Sequence, residues 1–223
     1  MSQINIPRPV TVAVHALTPL VDLFREMDAR LTIRFVDLEE SRFDEVCDAM
    51  HSYGEWSEVG EWEDMHEYTY AVGADAVQTN VHIRNSVSLA HAVHACVESL
   101  ELRLLNHGLA RGSVDTETAV DPADIPETVT PSSVRIRKRK TFCREPWKFH
   151  VSRVWTGGSR SVAEEAQSKG ETVYDISIEF APDPSYWNSP RHTSTYVATS
   201  MLMKMVDIVS PEMVSVEPVP QGS

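Results

Sequence analysis

The sequence is poor in the residues that cross-link, anchor or export a protein. It has three cysteines, Cys47, Cys96 and Cys143, among 223 residues. Their odd number and lack of metal-ligand spacing predict reduced, buried thiols in an intracellular protein. No run approaches the roughly 20 apolar residues that a membrane helix needs, and the start shows no secretory signal pattern. We therefore expect no membrane partner, and cytoplasm, nucleus and mitochondrion stay open as compartments.

The familiar short motifs of catalysis are missing as well. The sequence has no phosphate-binding P-loop, GxGxxG, HExxH or nucleophile elbow, and no internal repeat. The enzyme classes that these motifs mark are therefore not indicated. The length suits a single domain, 1–223, with a sizeable core.

Positive charge is scarce, and it is concentrated. The chain has 20 Lys and Arg against 33 Asp and Glu, for a formal net charge of −13. Eight of those 20 cations fall between Arg135 and Arg153. A cationic cluster in an acidic protein favours a local binding site for phosphate, because it offsets the field of the rest of the molecule.

The same region alternates in polarity with period two, which predicts three antiparallel strands whose faces see different surroundings. The polar faces group as follows: Arg135, Arg137, Arg139 and Thr141 on the first strand; Lys148, His150 and Ser152 on the second; Asp175, Ser177 and Glu179 on the third. Periodicity alone weighs two interpretations equally, a polyanion site and an ordinary solvated sheet face.

The order and spacing of these segments resemble the C-terminal half of the triphosphate tunnel metalloenzymes, in particular the RNA 5′-triphosphatases of mRNA capping in fungi, protozoa and viruses. Residues 137–142 are similar to the family's K-x-R-x-[ST]-[YF], 148–154 to basic-x-Asp-x-Thr-[KR]-V, and 175–179 to Glu-x-Glu-x-Glu. The resemblance implies an α+β protein built on an antiparallel eight-stranded β-barrel with flanking helices. It also implies a charged lumen that holds a divalent metal on glutamates and a triphosphate on Arg and Lys.

The resemblance places phosphate or RNA contacts at Arg30, Arg34, Arg103, Arg135, Arg137, Arg139, Lys148 and Ser152. It places a catalytic role on Glu179, and it leaves only Asp175 and Glu179 as metal ligands. Arg30 and Thr32 stand where the family's first strand has two glutamates. Because Mg²⁺ and Mn²⁺ require oxygen ligands, this lumen is expected to hold a triphosphate without a metal and to hydrolyse it poorly.

The resemblance therefore implies a protein that recognises the 5′-triphosphate end of RNA in a basic tunnel and needs no cofactor for binding. We expect it to serve as a subunit of an RNA-processing assembly, with a homologous or capping protein as partner. Two alternatives stay open. One is an active mRNA 5′-triphosphatase that uses Mg²⁺ or Mn²⁺, and the other is a structural subunit that uses the barrel as scaffold.

Outside the site, the sequence predicts a helix that begins at Thr18-Pro19, because a capping residue followed by proline is typical of a helix start. A first strand at 29–38, a helix at 41–50 and a C-terminal helix at 192–210 follow from hydrophobic periodicity. A hairpin is predicted around 73–75.

Four further segments carry weaker predictions. Residues 86–108 fit a helix or a strand. Residues 111–133 predict a linker, and 157–170 a flexible connection. The acidic, aromatic run 55–68 favours a solvated edge. His91 and His94 are interpreted as surface or packing residues, since no third partner lies at a ligand spacing.

Overall fold

A computed structural model describes residues 8–72, 75–84, 87–104, 108–119, 130–209 and 216–218. Within these ranges it describes the side chains of 12–69, 95–102, 110–118 and 130–208. The helices are α1 (Arg8–Glu26), α2 (Glu40–Ser52), α3 (Arg160–Lys169) and α4 (Ser194–Val209), with a 3-10 helix at Pro184–Asn188. The strands are β1 (Arg30–Leu38), β2 (Glu58–Val59), β3 (Glu63–Val72), β4 (Asp75–Arg84), β5 (Val87–Leu104), β6 (Gly108–Ala119), β7 (Ser133–Arg144), β8 (Trp147–Gly157), β9 (Val173–Phe180) and β10 (Val216–Pro218).

Eight long strands pair antiparallel around a ring. Their order is β5, β4, β3, β7, β8, β9, β1, β6, and β6 pairs back with β5. The short β2 adds to β7, and β10 adds to the end of β5. The predicted α+β class, with an antiparallel eight-stranded sheet and flanking helices, is confirmed.

The segment that fitted both a helix and a strand is β5, which has 18 residues. Its first half pairs with β4 and its second half with β6, with a register shift between Cys96 and Glu98. Strand pairing on both sides outweighs the helix propensity of its Ala, Leu and Glu residues, because propensity is a weak prior against tertiary context.

The apolar core lies outside the ring, between the strand walls and the helices. One face of β1, β8 and β9 supplies fully or nearly fully buried side chains: Leu31, Ile33, Phe35, Val151, Ile176, Ile178 and Phe180. From α4, Met201 and Met205 pack into the same cluster, whereas Tyr196 on that helix is 48% exposed. Since side chains alternate along a strand, the opposite faces of these strands point into the ring.

The predicted start of the first helix at Thr18-Pro19 is wrong, because α1 begins by Arg8 and contains Pro19. The turns before the proline are held by burial of Ala13 and Leu17, both fully buried. The Thr18 hydroxyl donates to the Val14 carbonyl oxygen at 2.7 Å. Packing thus carries the helix through a residue that lacks a backbone N–H donor.

Two predicted loops contain regular structure. Residues 111–119 belong to β6, and 120–129 lie outside the described residues. The predicted flexible connection at 157–170 contains α3. At the N-terminus of this helix, the backbone N–H of Val162 donates to the Ser159 side chain. Gly170 ends α3 with φ 72, in the left-handed region. Both cap residues are typical helix signals, which the glycine and serine content of this segment obscured.

Two sequence predictions about burial and polarity are also overturned. In the acidic, aromatic run, Trp56 packs against Phe142 and Phe149, and Glu67 is only 2% exposed, so that run is not simply a solvated edge. Cys96 is exposed rather than buried. The side chains of His91 and His94 lie outside the described set. No helix in the described ranges has the length and apolar character required to cross a membrane.

Candidate anion-binding lumen

The inward strand faces enclose two adjoining cavities. The first, here called the arginine chamber, has a volume of about 380 Å³. The second, here called the acidic chamber, has a volume of about 490 Å³. The two chambers share Arg30, Arg139 and His150, which form a waist between them. Both therefore belong to one lumen that runs through the ring.

A buried ion network forms one wall of the arginine chamber. Arg137 Nη1 lies 2.9 Å from Glu67 Oε1, and Arg135 Nη2 lies 3.0 Å from Asp175 Oδ2. Burial lowers the pKa of Arg137 to about 10, although Glu67 opposes this change, and the neighbouring Arg34 and Arg135 lower it further. Burial also raises the pKa of the Asp175 carboxyl. The network is desolvated, and Arg34, Arg135 and Arg137 there outnumber the carboxylates Glu67 and Asp175, so an additional anion would balance its charge.

A second cluster surrounds the waist. Arg30 bridges Glu117 at 2.8 Å and Glu179 at 2.6 Å. Lys148 Nζ is 3.7 Å from Glu179 Oε1. Burial would raise the pKa of Glu179, but the His150 ring and the Arg30 guanidinium hold that pKa below its usual range. Both carboxylate oxygens of Glu179 therefore already have cationic partners, Arg30 and Lys148.

His150 is neutral at the waist. Its Nδ1 is 2.9 Å from the Thr141 hydroxyl, and its Nε2 is 3.5 Å from Glu179 Oε2, too long for a well-directed hydrogen bond. Burial lowers the pKa of His150 to about 4, in spite of Glu179. A neutral imidazole adds a polar atom to the lumen wall without adding charge.

Several N–H donors of the lumen have no acceptor among the described residues. The buried Nε atoms of Arg137 and Arg139 make no hydrogen bond to a described residue. Arg34 is half-buried and lines the same chamber. The pKa of Arg139 is lowered by burial and by Arg30, and its ion pair with Glu63 spans 4.0 Å. Buried polar groups are normally satisfied, so these donors indicate a ligand that supplies acceptor oxygens.

The described donors do not fit a divalent metal centre. No group of three His, Cys, Asp or Glu side chains in the described ranges is arranged to hold a metal ion. Asp175 faces Arg135 and Arg137, whereas Glu179 faces Arg30 and Lys148. A hard cation needs several oxygen ligands that converge on one point. Here each carboxylate instead faces the positively charged side chains of Arg or Lys residues.

The predicted site residues fall in several places. Arg30, Arg34, Arg135, Arg137 and Arg139 line the arginine chamber, and Lys148 and Glu179 line the acidic chamber. Asp175 is buried in the ion network.

Two predicted contacts are placed differently. Ser152 is buried and lines neither chamber. Its short hydroxyl sits in register between Arg139 and Asp175, whose longer side chains extend further inward. The backbone of Arg103 pairs with Leu109 and Glu217, and its side chain lies outside the described set.

Sequence reasoning missed several lumen carboxylates. Glu67 lines the arginine chamber with Asp115, while Glu63 and Glu117 line the acidic chamber. The resemblance indicated only Asp175 and Glu179 as acidic residues of the site, and the structure adds these four carboxylates to the lumen wall. A signal was present, because polar residues alternate at 111, 113, 115 and 117, but the assignment of this segment to a linker concealed it.

Comparison with known proteins yields structural likeness without sequence likeness. No family model and no curated protein matches the chain. The structure of Schizosaccharomyces pombe Pct1 RNA triphosphatase in complex with the Spt5 CTD superposes with a TM-score of 0.62 at 11% identity, covering 92% of this chain and 94% of that chain. The Mimivirus capping enzyme triphosphatase gives 0.62 at 8% identity, with 88% and 96% covered.

A chain in the S. pombe Mediator head module gives a TM-score of 0.55 at 8% identity, covering 86% of this chain and 100% of that chain. Identities this low show the fold alone. The chain thus has the triphosphate tunnel fold of the RNA triphosphatases to which it is similar, and the predicted resemblance is confirmed at the level of fold.

Proposed function

We propose that this protein binds the 5′-triphosphate end of RNA inside the lumen, without a metal ion and with little or no hydrolysis. The observation that supports the proposal is the pair of buried Nε atoms of Arg137 and Arg139, which have no hydrogen-bond partner among the described residues. They lie in a chamber that Arg34 also lines. A triphosphate presents several negatively charged acceptor oxygens in a short chain. It therefore supplies what these donors lack.

The electrostatics of the chamber favour such a ligand. Arg34 and Arg135 each lower the pKa of Arg137, which is a measure of their mutual repulsion. An anion placed among them relieves that repulsion and forms charge-assisted hydrogen bonds with planar guanidinium groups, which suit phosphate. The volume of about 380 Å³ lies in the range of small-molecule sites, about 300–1,000 Å³.

Weak or absent hydrolysis follows from the same contacts. Metal-assisted phosphoryl transfer requires an ion that bridges phosphate oxygens and a group that orients the attacking water. Glu179, the predicted catalytic residue, is bound to Arg30 at 2.6 Å. Loss of one electrostatic stabiliser commonly costs about 10²–10³ in rate, so a site whose described side chains form no metal-ligand cluster is expected to turn over very slowly.

The RNA part of the proposal rests on the fold. The proteins to which the chain is similar include an RNA triphosphatase and the triphosphatase of a capping enzyme. The likeness to a chain of the Mediator head module favours a second candidate, a structural subunit of a multiprotein assembly that does not read the RNA end.

Fluorescence anisotropy tests the proposal with three versions of one RNA decamer, carrying a 5′-triphosphate, a 5′-monophosphate or a 5′-hydroxyl. In buffer with EDTA we expect the triphosphate RNA to bind about tenfold or more tightly than the monophosphate RNA, equivalent to about 1.4 kcal/mol or more. Equal affinity for all three RNAs contradicts the proposal and favours the scaffold.

A phosphate-release assay with Mn²⁺ separates binding from catalysis. We expect no release above background. Release that disappears in the Glu179→Ala variant instead indicates the active metal-dependent triphosphatase.

A further inference from the structure

The two ends of the lumen carry opposite electrical character. Residues that line only the arginine chamber include four arginines against three carboxylates: Arg34, Arg111, Arg135 and Arg137 against Glu67, Glu101 and Asp115. Residues that line only the acidic chamber include one lysine against five carboxylates: Lys148 against Glu58, Glu61, Glu63, Glu117 and Glu179. Along the described lumen, the charge of the lining residues therefore changes from net positive at one end to net negative at the other.

Two carboxylates of the acidic chamber, Glu58 and Glu61, lie at its opening. The short β2 pairs Glu58 with Cys143 and Val59 with Phe142. The Gly60 N–H donates to the Thr141 carbonyl oxygen at 2.8 Å, immediately before Glu61. Glu58 and Glu61 are exposed, so the backbone fixes two solvated negative charges at this mouth.

The opposite mouth carries exposed positive charge. Arg111 is exposed on β6, opposite Arg34 in the register with β1. Its guanidinium donates to the Ser99 hydroxyl at 3.1 Å, which positions it on the chamber wall. Arg34 and Arg111 thus lie side by side at the arginine mouth, and the exposed Glu101 lies opposite Arg111 on β5.

We propose that a triphosphate-ended RNA enters through the arginine mouth, with its terminal phosphate at the Arg30–Arg139–His150 waist and its first nucleotides beside Arg34 and Arg111. This inference rests on the proposed function. An RNA strand adds one negative charge per nucleotide. The exposed Glu58 and Glu61 at the acidic mouth, with Glu63, Glu117 and Glu179 also lining that chamber, act on it within a Debye length, about 10 Å at 0.1 M salt. The acidic mouth therefore excludes nucleic acid, and the lumen orients its ligand in one direction.

Photo-crosslinking maps the direction. The probe is a 5′-triphosphate RNA decamer with 4-thiouridine as its first nucleotide, and the crosslinked peptides are identified by mass spectrometry. We expect crosslinks in 31–37, 96–102 or 110–113. Crosslinks in 55–63 or 145–148, or an even division between the two mouths, overturn the inference.

Paired variants provide a second readout, with inorganic tripolyphosphate and the triphosphate RNA as separate ligands. Arg111→Gln is expected to weaken RNA binding about two- to fivefold, the contribution of one exposed ion pair, and to leave tripolyphosphate binding nearly unchanged. The double variant Glu58→Gln, Glu61→Gln removes only repulsion at the acidic mouth, so it is expected to leave tripolyphosphate binding nearly unchanged and not to weaken RNA binding. Weaker RNA binding in that double variant, or unchanged RNA binding in Arg111→Gln, overturns the inference.

The outcome also distinguishes failure of the direction from failure of the proposed function. If the unaltered protein binds neither tripolyphosphate nor triphosphate RNA, the proposed function is wrong and the direction falls with it. If both ligands bind but crosslinks map to the acidic mouth, the proposed function stands and the direction is wrong.

Discussion

Arg34 separates binding from stability more cleanly than any other described lumen residue. It has no described ion-pair partner, and it lowers the pKa of the buried Arg137 next to it. Removal of its charge relieves repulsion with Arg137 and also removes an attraction to the buried Asp175, which keeps Arg135 and Arg137 as partners. Arg137, by contrast, is paired with Glu67 at 2.9 Å, so its loss strands a buried carboxylate.

For Arg34→Gln we predict that affinity for triphosphate RNA falls about tenfold, while the free energy of unfolding stays the same or rises. One charge-assisted hydrogen bond contributes about 1.5–3 kcal/mol, which sets the scale of the loss. Fluorescence anisotropy measures the first quantity and urea unfolding the second. Lys138→Gln, an exposed change on the other face of β7, is the matched control and is expected to alter neither quantity. Lower stability without weaker binding contradicts this role for Arg34.

His150 makes folding stability depend on pH. Its pKa is lowered by burial to about 4 from a usual 6.5, so the unfolded chain binds more protons between these values. Stability from the neutral ring is therefore fully present above about pH 6.5 and is lost as the pH falls toward 4.

We predict a loss of about 2 kcal/mol from this residue between pH 7 and pH 5, by linkage at 1.36 kcal/mol per pKa unit. Urea unfolding at several pH values measures it. The matched variant His150→Gln removes the titration while keeping a polar side chain. Because the raised pKa of Asp175 and the lowered pKa of His66 act in both proteins, the difference between their pH profiles isolates His150. Identical profiles contradict the assignment.

At the level of single residues, sequence alternation identified most of the cationic side of the site. Arg135, Arg137 and Arg139 share a face because strand side chains alternate, and this needs no tertiary information. The carboxylates Glu67 and Glu117 come from strands that are distant in sequence from that segment. Their partners are fixed by cross-strand register, which composition and local pattern do not encode.

The junction between β8 and α3 depends on the absence of one side chain. A Cβ added at Gly157 meets the backbone nitrogen of Ala163 at 2.6 Å and Val162 Cβ at 2.8 Å. Real Cβ atoms do not approach so closely, so the first turn of α3 would have to move away from the strand. A Cβ at the neighbouring Gly158 meets nothing within 4 Å.

We predict that Gly157→Ala destabilises the protein by about 1–3 kcal/mol, the usual cost of overpacking a well-filled contact. Gly158→Ala is the matched control and is expected to change the free energy of unfolding by less than about 0.5 kcal/mol. Urea unfolding of both variants measures the difference. Equal stabilities would show that α3 shifts at no cost.

The elements themselves were unequally predictable. The strands β1, β7, β8 and β9 and the helices α2 and α4 carry strong periodicity, and their positions followed from it. The strands β5 and β6 did not, since their sequences fit other structures and they are strands because each pairs with neighbours on both sides. Local propensity decides an element only where tertiary pairing does not override it.

On the scale of the whole molecule, the formal charge of −13 opposes the approach of RNA. The cations that bind the ligand lie inside the lumen, so they contribute little to long-range attraction. Most nucleic-acid-binding proteins associate more slowly as salt rises, because salt screens electrostatic steering.

For this protein we predict that the association rate constant for triphosphate RNA stays level or rises between 50 and 200 mM salt, roughly one Debye-length halving. The dissociation rate constant is expected to rise over the same range, since salt competes for the phosphate contacts. Stopped-flow anisotropy measures both constants. An association rate constant that falls steeply with salt contradicts this picture of a repulsive exterior.

The position of β1 has a consequence for biosynthesis. This strand, near the start of the described chain, pairs with β6 on one side and with β9 on the other, so Thr32 lies opposite both Ser113 and Glu179. A ribosome must therefore synthesise nearly the whole chain before β1 can acquire its second neighbour, and long-range pairings of this kind form slowly. Until then a nascent polypeptide displays an unpaired edge on β1, and Arg30 lacks its second carboxylate partner, Glu179. An unpaired strand edge is a surface to which a chaperone or an assembly partner can bind.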